Sequence, residues 1–176
     1  MSSSKSKTTI GFLTVLEFDS VGSIGGYLIL NIGARPLEFH CTSPVKANRA
    51  QEILYGNTLK PYLHGEVVST ALVSKASIKP DFVLVNDVTL ATDGKLDCPR
   101  LWLQRLSETP PPASQFQSVD IERWRCCMEQ GLDLDGLQVT ETLSQLYETV
   151  DLDEPFHWCA QVSVREVFAL PAHCSL

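Results

Sequence analysis

Three groups of side chains have the types and spacing to do chemistry. The first surrounds a strand end: His40 lies in the alternating stretch Leu37-Glu-Phe-His-Cys-Thr42, and Arg49-Ala-Gln-Glu52 opens the helical pattern that follows. In an open α/β sheet, crevices form beyond strand ends and the next helix lines them with polar side chains. His40, Arg49, Gln51 and Glu52 are therefore expected to face a small ligand or a protein partner; the blander reading is a solvated amphipathic face. The second group pairs histidines with thiols: His40-Cys41, His157 with Cys159, and His173-Cys174. Imidazole and thiolate suit zinc, but the pairs lie far apart and lack knuckle spacing, so no metal site is assigned to them. Cys41 as a nucleophile carries no motif, and the vicinal Cys126-Cys127 beside Trp124 reads as half-buried packing. The third group is single acids at element ends: Asp19 in a turn, Glu66 in a first helical turn and Asp87 after a strand. Turn chemistry and the helix dipole already favour acids at such places.

The elements that would hold these residues belong to an ordinary globular chain. Its 176 residues are 44% hydrophobic and 20% charged, enough for one core without disulfide or metal staples. A net charge of −7 argues against a surface built mainly to grip phosphate backbones, although Lys46, Arg49, Lys60 and Lys75 would supply a local basic strip. No run approaches the roughly eighteen apolar residues of a membrane span. The opening Met-Ser-Ser-Ser-Lys-Ser-Lys lacks the apolar stretch of a signal peptide and reads as a frayed tail. With six cysteines in no C-x-x-C spacing, free thiols and a cytoplasmic setting are expected.

In chain order, Thr9–Phe18 is β-branched and apolar enough for a central strand. The glycine-rich stretch Asp19–Gly26 reads as a hairpin connection, Tyr27–Ile32 as the returning strand and Gly33-Ala-Arg-Pro36 as the next turn. Three strands with short turns are antiparallel neighbours. Asn48 caps a predicted helix Arg49–Tyr55, with Gly56 as its stop. Pro61 and Gly65 split the next stretch, leaving a second short helix from about Gly65 to Ala76. Asp81-Phe-Val-Leu-Val85 reads as a strand buried on both faces, paired in parallel after a crossover. Val88–Thr92 suits one helical turn and Arg100–Leu106 a fifth strand. Pro110-Pro-Pro-Ala-Ser114 marks a stiff linker. Beyond it, helix is expected from about Thr140 to Val150 and again from Asp153-Glu-Pro155, with Val162-Ser-Val164 weakening its continuation.

This order of elements resembles an RNase H-like core, in which carboxylates on the first and fourth strands and a nearby helix bind divalent metal. More narrowly, Pro61-Tyr-Leu-His-Gly-Glu66 and Lys79-Pro-Asp-Phe-Val-Leu-Val-Asn-Asp87 resemble part of the endonuclease V family. That family has a Pro-Tyr wedge before a helix carrying a catalytic Glu, and a Lys-Pro-Asp strand ending in a catalytic Asp. The resemblance implies Glu66, Asp87 and Asp19 as metal ligands, Tyr62 as the wedge and Mg²⁺ as the cofactor. Hard oxygen ligands suit that ion, and a metal pair activates water against a phosphodiester. Asn86-Asp87-Val88 departs from the family's glycine-rich turn after the catalytic Asp. The hairpin Asp19-Ser-Val-Gly22-Ser23 also resembles the phosphate loop of actin-like kinases, but the chain is too short for their second lobe.

The expected architecture is one α/β unit with a mixed five-stranded sheet of RNase H-like topology. Residues 1–8 form the tail, 9–109 the core, 110–119 the linker and 120–176 a helical C-terminal appendage. The expected function is a non-catalytic cytoplasmic module that binds a protein partner or small ligand near His40–Glu52, without cofactor. The alternative is a Mg²⁺-dependent nuclease using Asp19, Glu66 and Asp87, with nucleic acid as its partner. No membrane partner is expected.

Overall fold

The computed structural model describes residues 7–92 and 98–169. Most of the expected tail, and the His173-Cys174 pair, lie outside the described residues. Strands β1 (Thr9–Phe18), β2 (Gly22–Asn31) and β3 (Pro36–Cys41) form the meander, with Thr9 opposite Asn31 and Phe18 opposite Gly22. The connection after β1 is shorter than the glycines suggest. Gly25 and Gly26 lie inside β2, and their missing side chains let helices approach both faces. A Cβ on Gly25 would fall 2.2 Å from Val68 Cγ1, and one on Gly26 would fall 2.4 Å from Ser163 Oγ.

Asn48 caps α1 (Arg49–Tyr55) by accepting from the Gln51 N–H at 2.9 Å, while the Gln51 side chain accepts from the Asn48 N–H, which completes a capping box. The break falls at Gly56, which adopts φ 51°, and not at Pro61 or Gly65. From there the chain stays helical through α2 (Leu59–Pro61), a π-helical segment (Tyr62–Val68) and α3 (Ser69–Lys75). Pro61 is tolerated because it lies in the first turn, where its N–H would have no partner.

Strand β4 (Phe82–Val85) is buried throughout and pairs in parallel with β1, Ile10 opposite Phe82 and Leu13 opposite Val85. After α4 (Val88–Thr92), β5 (Arg100–Arg105) joins in parallel with β4. The sheet does not end there. β6 (Phe116–Ile121) and β7 (Trp124–Glu129) form a hairpin that pairs antiparallel onto β5 through β7, giving seven strands among the described residues in the order β3-β2-β1-β4-β5-β7-β6.

The five-stranded expectation is corrected accordingly. Residues 116–121 and 124–129 are strands of this sheet, where a linker and the start of a helical appendage were expected. The hairpin loop is Glu122-Arg123, with Glu122 at φ 52°. A left-handed turn residue is ordinarily Gly, Asn or Asp, so this turn gives no signature in the sequence.

Helices α5 (Gly136–Tyr147) and α6 (Glu154–Phe168) cover one face of the sheet. Period-two alternation divides the strands cleanly. Ile10, Phe12, Leu28, Leu30, Phe82 and Leu84 point toward α5 and α6. Leu13, Tyr27, Ile29, Val83 and Val85 point the other way, against Val68, Leu72 and Leu90. Phe156 of α6 meets Phe12 edge to face, ring centroids 5.2 Å apart. Among the described residues no helix is long and apolar enough to cross a membrane.

Candidate active site at the ends of β1 and β4

Because β1 and β4 run parallel, their C-terminal ends emerge side by side, and the strand alternation continues past the last paired residues. Glu17 and Asp87 leave on the side of α2 and the π-helical segment. The Lys60 ammonium lies between them, 3.7 Å from Glu17 Oε2 and 3.8 Å from Asp87 Oδ2. All three side chains are well exposed, at 56%, 40% and 48% for Glu17, Asp87 and Lys60. Beneath them the buried His64 ring places Nε2 3.3 Å from Glu17 Oε1 and 3.0 Å from Ser23 Oγ.

The charge states follow from these contacts. Burial tends to raise the Asp87 carboxyl, but the Thr89 N–H at 2.9 Å and hydroxyl at 2.7 Å both donate to Oδ1. With Lys60 and His64 nearby, the net effect holds it below the usual aspartate range. For His64 burial dominates over the attraction of Glu17 and lowers its proton affinity below the ordinary histidine value. The site at neutral pH is therefore an ionised carboxylate supported by a neutral imidazole.

On the other side of the same strand ends, the strands themselves offer uncharged groups. Thr14 Oγ1 donates to Asn86 Oδ1 at 3.2 Å, on the side facing α6. Both line a cavity of about 160 Å³ with Leu16, Trp124, Phe156 and His157.

The structure brings only Asp87 of the three expected carboxylates into this cluster. Asp19 is exposed in the turn after β1 and Glu66 is exposed on the π-helical segment. Among the described residues no group of three or more His, Cys, Asp or Glu side chains could hold a metal ion. The residue that sequence reasoning missed is Glu17, the one acid inside β1. Its signal was its phase: it shares a face with Leu13 and Val15 and continues that row beyond the core. Tyr62 is stacked on Tyr55, with ring centroids 4.4 Å apart and planes inclined at 23°.

Two of the four residues expected near His40 are held by partners within the fold. His40 Nε2 lies 2.7 Å from Glu38 Oε1, and the Glu38 carboxylate also accepts from Ser77 N–H and Ile78 N–H, so this pair anchors the loop before β4. Gln51 is used by the helix cap, and α1 with Arg49 and Glu52 buries none of its residues.

No family model matches the chain, and no curated relative does. Solved structures do match. Endonuclease V of Ciona intestinalis, in complex with a 23mer DNA containing an inosine followed by a ribo-adenosine, superposes with a TM-score of 0.53 at 8% identity. The match covers 94% of this chain and 88% of that one. The chain has an RNase H-like core.

The catalytic domain of human endonuclease V aligns over 95% of this chain and 86% of its own, at 14% identity and a TM-score of 0.49. Marinitoga piezophila Argonaute, in complex with guide RNA and target DNA, aligns over 91% of this chain but 30% of its own, with 8% identity and a TM-score of 0.46. The fold comparison rests on the first of these. It bears out the resemblance to an RNase H-like core of endonuclease V type. It also corrects the expectation of a non-catalytic binding module, because the superposed structure is an endonuclease V and the alternative reading accords with it better.

Divalent metal is what the resemblance implies, and the donor set tests it. Mg²⁺ keeps several waters and is commonly held by one or two carboxylates together with substrate phosphate. Glu17 and Asp87 supply that number, and the Lys60 ammonium lodged between them is a cation already drawn to the spot. The pair fits a hydrated ion, not an all-protein cage.

Proposed function

We propose that this chain is a divalent-metal-dependent nuclease of RNase H/endonuclease V-like type, working at Glu17, Lys60 and Asp87. The observation that carries this reading is the convergence of two carboxylates, from adjacent parallel strands, on one cation within 3.8 Å. Its support from the comparisons is the fold shared with an endonuclease V held on DNA.

Glu17 and Asp87 would hold Mg²⁺, and the ion when bound would polarise the scissile phosphate and lower the pKa of an attacking water. Thr89 fixes the Asp87 carboxylate through Oδ1 and leaves Oδ2 facing the cluster. With its proton on Nε2, His64 donates to Glu17 and keeps that carboxylate turned inward. Lys60, exposed on a flexible stem, would offer its charge to a phosphate oxygen. The Tyr55–Tyr62 stack, two residues further along from Lys60, offers an aromatic face to an unstacked base. The buried thiols of Cys126, Cys127 and Cys159, in no disulfide among the described residues, support a reducing, cytoplasmic setting.

The test is cleavage of single-stranded, duplex and inosine-containing DNA and RNA, with Mg²⁺ or Mn²⁺ and with chelator. Metal-dependent cleavage that falls about a hundredfold or more in Asp87→Asn and Glu17→Gln, with unfolding temperature unchanged, is the expected result. Absence of cleavage on every substrate, or full activity in both variants, would sink the reading.

A further inference from the structure

The opposite end of the strands holds a second cavity that the proposed chemistry does not use. Tyr27 of β2 is fully buried, and its ring lies across β1 at Gly11. A Cβ at residue 11 would fall 2.9 Å from Tyr27 Cε2 and 3.0 Å from its hydroxyl oxygen. The ring therefore reaches the N-terminal edge of the sheet only because residue 11 has no side chain. There its hydroxyl has no hydrogen-bond partner among the described residues, although the atom is buried.

The loop before β4 is tied down by Glu38, which accepts from Ser77 N–H at 2.7 Å and Ile78 N–H at 2.9 Å. Between this loop and the ring is a cavity of about 190 Å³, walled by Val73, Ala76, Ile78, Pro80 and Cys98. Ser77 and Lys79, both exposed, form its mouth. Folding a phenolic hydroxyl into an apolar wall without a partner is unfavourable, and native proteins seldom leave one so. Burial, with Cys98 and Glu38 nearby, pushes that hydroxyl well above the tyrosine range, so it remains a donor at every physiological pH.

We propose that this cavity is a binding site for a compact, uncharged molecule of single-ring size carrying one hydrogen-bond acceptor, a carbonyl or ether oxygen, which the Tyr27 hydroxyl meets. The apolar walls select a ring or branched aliphatic body, and the volume is close to that of an apolar cavity that admits one benzene-sized guest. Lys79 stands only at the mouth and the walls themselves carry no charged side chain, so the enclosed part of the guest is uncharged, unlike the phosphate chemistry proposed at the other end of β1 and β4.

The experiment titrates cyclohexanone into isotope-labelled full-length protein and follows the resonances of Val73, Ile78 and Cys98. The expected result is saturable, millimolar binding confined to these residues. Tyr27→Phe weakens it about fivefold, the loss of one hydrogen bond, and Ala76→Phe, which fills the cavity from its wall, abolishes it. No saturable change at these resonances would mean that the cavity holds water alone and would overturn the proposal, as would equal affinity in Tyr27→Phe. Should Tyr27→Phe fail to fold, Ala76→Phe decides the matter: undiminished binding there overturns it.

Discussion

The two sides of the sheet treat the same strand ends differently. Toward α6, Thr14 and Asn86 form a neutral hydrogen bond of 3.2 Å beneath the rings of Trp124 and Phe156. Toward α2, Glu17 and Asp87 stand in water around Lys60. The difference comes from one step of strand register and from the length of the helix on each side. Successive residues on a strand face opposite ways, so each strand end offers one polar group to each side. Helix α6 runs from Glu154 to Phe168 and caps its side with the larger apolar cluster of the described residues. The helical run opposite changes pitch between Gly56 and Ser69 and covers less, which leaves the carboxylates exposed. The site is open where the covering layer is irregular.

The sharpest way to break this comparison is activity. Glu17→Gln and Asp87→Asn are expected to lose about a hundredfold or more in cleavage rate. Thr14→Val, on the α6 side, is expected to lose less than about threefold and to retain its fold, because it removes one neutral hydrogen bond. The reverse ranking in the same steady-state assay would move the active site to the α6 side.

Stability sharpens the contrast between the two clusters. Phe156→Ala is expected to destabilise by about 3–5 kcal/mol and Leu72→Ala by about 2–4 kcal/mol in urea unfolding. Phe156 loses an aromatic partner in Phe12 as well as its burial, whereas Leu72 backs onto the thinner layer. Equal values would show that both faces are packed alike.

The pH dependence isolates His64. Its folded-state proton affinity is depressed, so as pH falls through the ordinary value of 6.5 the unfolded chain takes up a proton that the folded chain does not. Stability is expected to decline from that pH toward the lowered folded value and to level off below it. His64→Gln is expected to flatten this part of a thermal-unfolding profile, and an unchanged slope would remove His64 as its cause. The smallest effect belongs to the outer face of α1: Leu54→Ser, at a position 81% exposed, is expected to change stability by no more than about 0.5 kcal/mol.

The legible parts of the fold were those whose own residues determine their structure. The alternation of β1, the buried run Phe82–Val85 and the Asn48 cap each encode their state locally, and all three appear as read. The hairpin of β6 and β7 was not legible. Its turn uses Glu122 in a left-handed conformation, and the Pro110–Ser114 run before it drew the boundary too early. Its place in the sheet depends on β5, distant in sequence. Of the candidate site, Asp87 was legible through its strand. Glu17 was hidden inside β1, two residues before the more conspicuous turn acid Asp19, and only the strand phase separates them.

Sequence alone determined that an antiparallel meander would be followed by helix and a buried parallel strand, because hydrophobic period, caps and turn residues act over a few positions. It also carried the resemblance that the superposed fold bears out. Tertiary structure decided which acids meet. Lys60 and His64 reach Glu17 only when the helical run folds back over the ends of β1 and β4, and Tyr27 acquires its cavity only when the Ser77–Pro80 loop is pinned by Glu38. Such meetings join residues 40 or more positions apart, as His64 with Ser23 and Ile78 with Glu38 show. No local pattern specifies them, because they are set by how layers pack and not by what any one segment prefers.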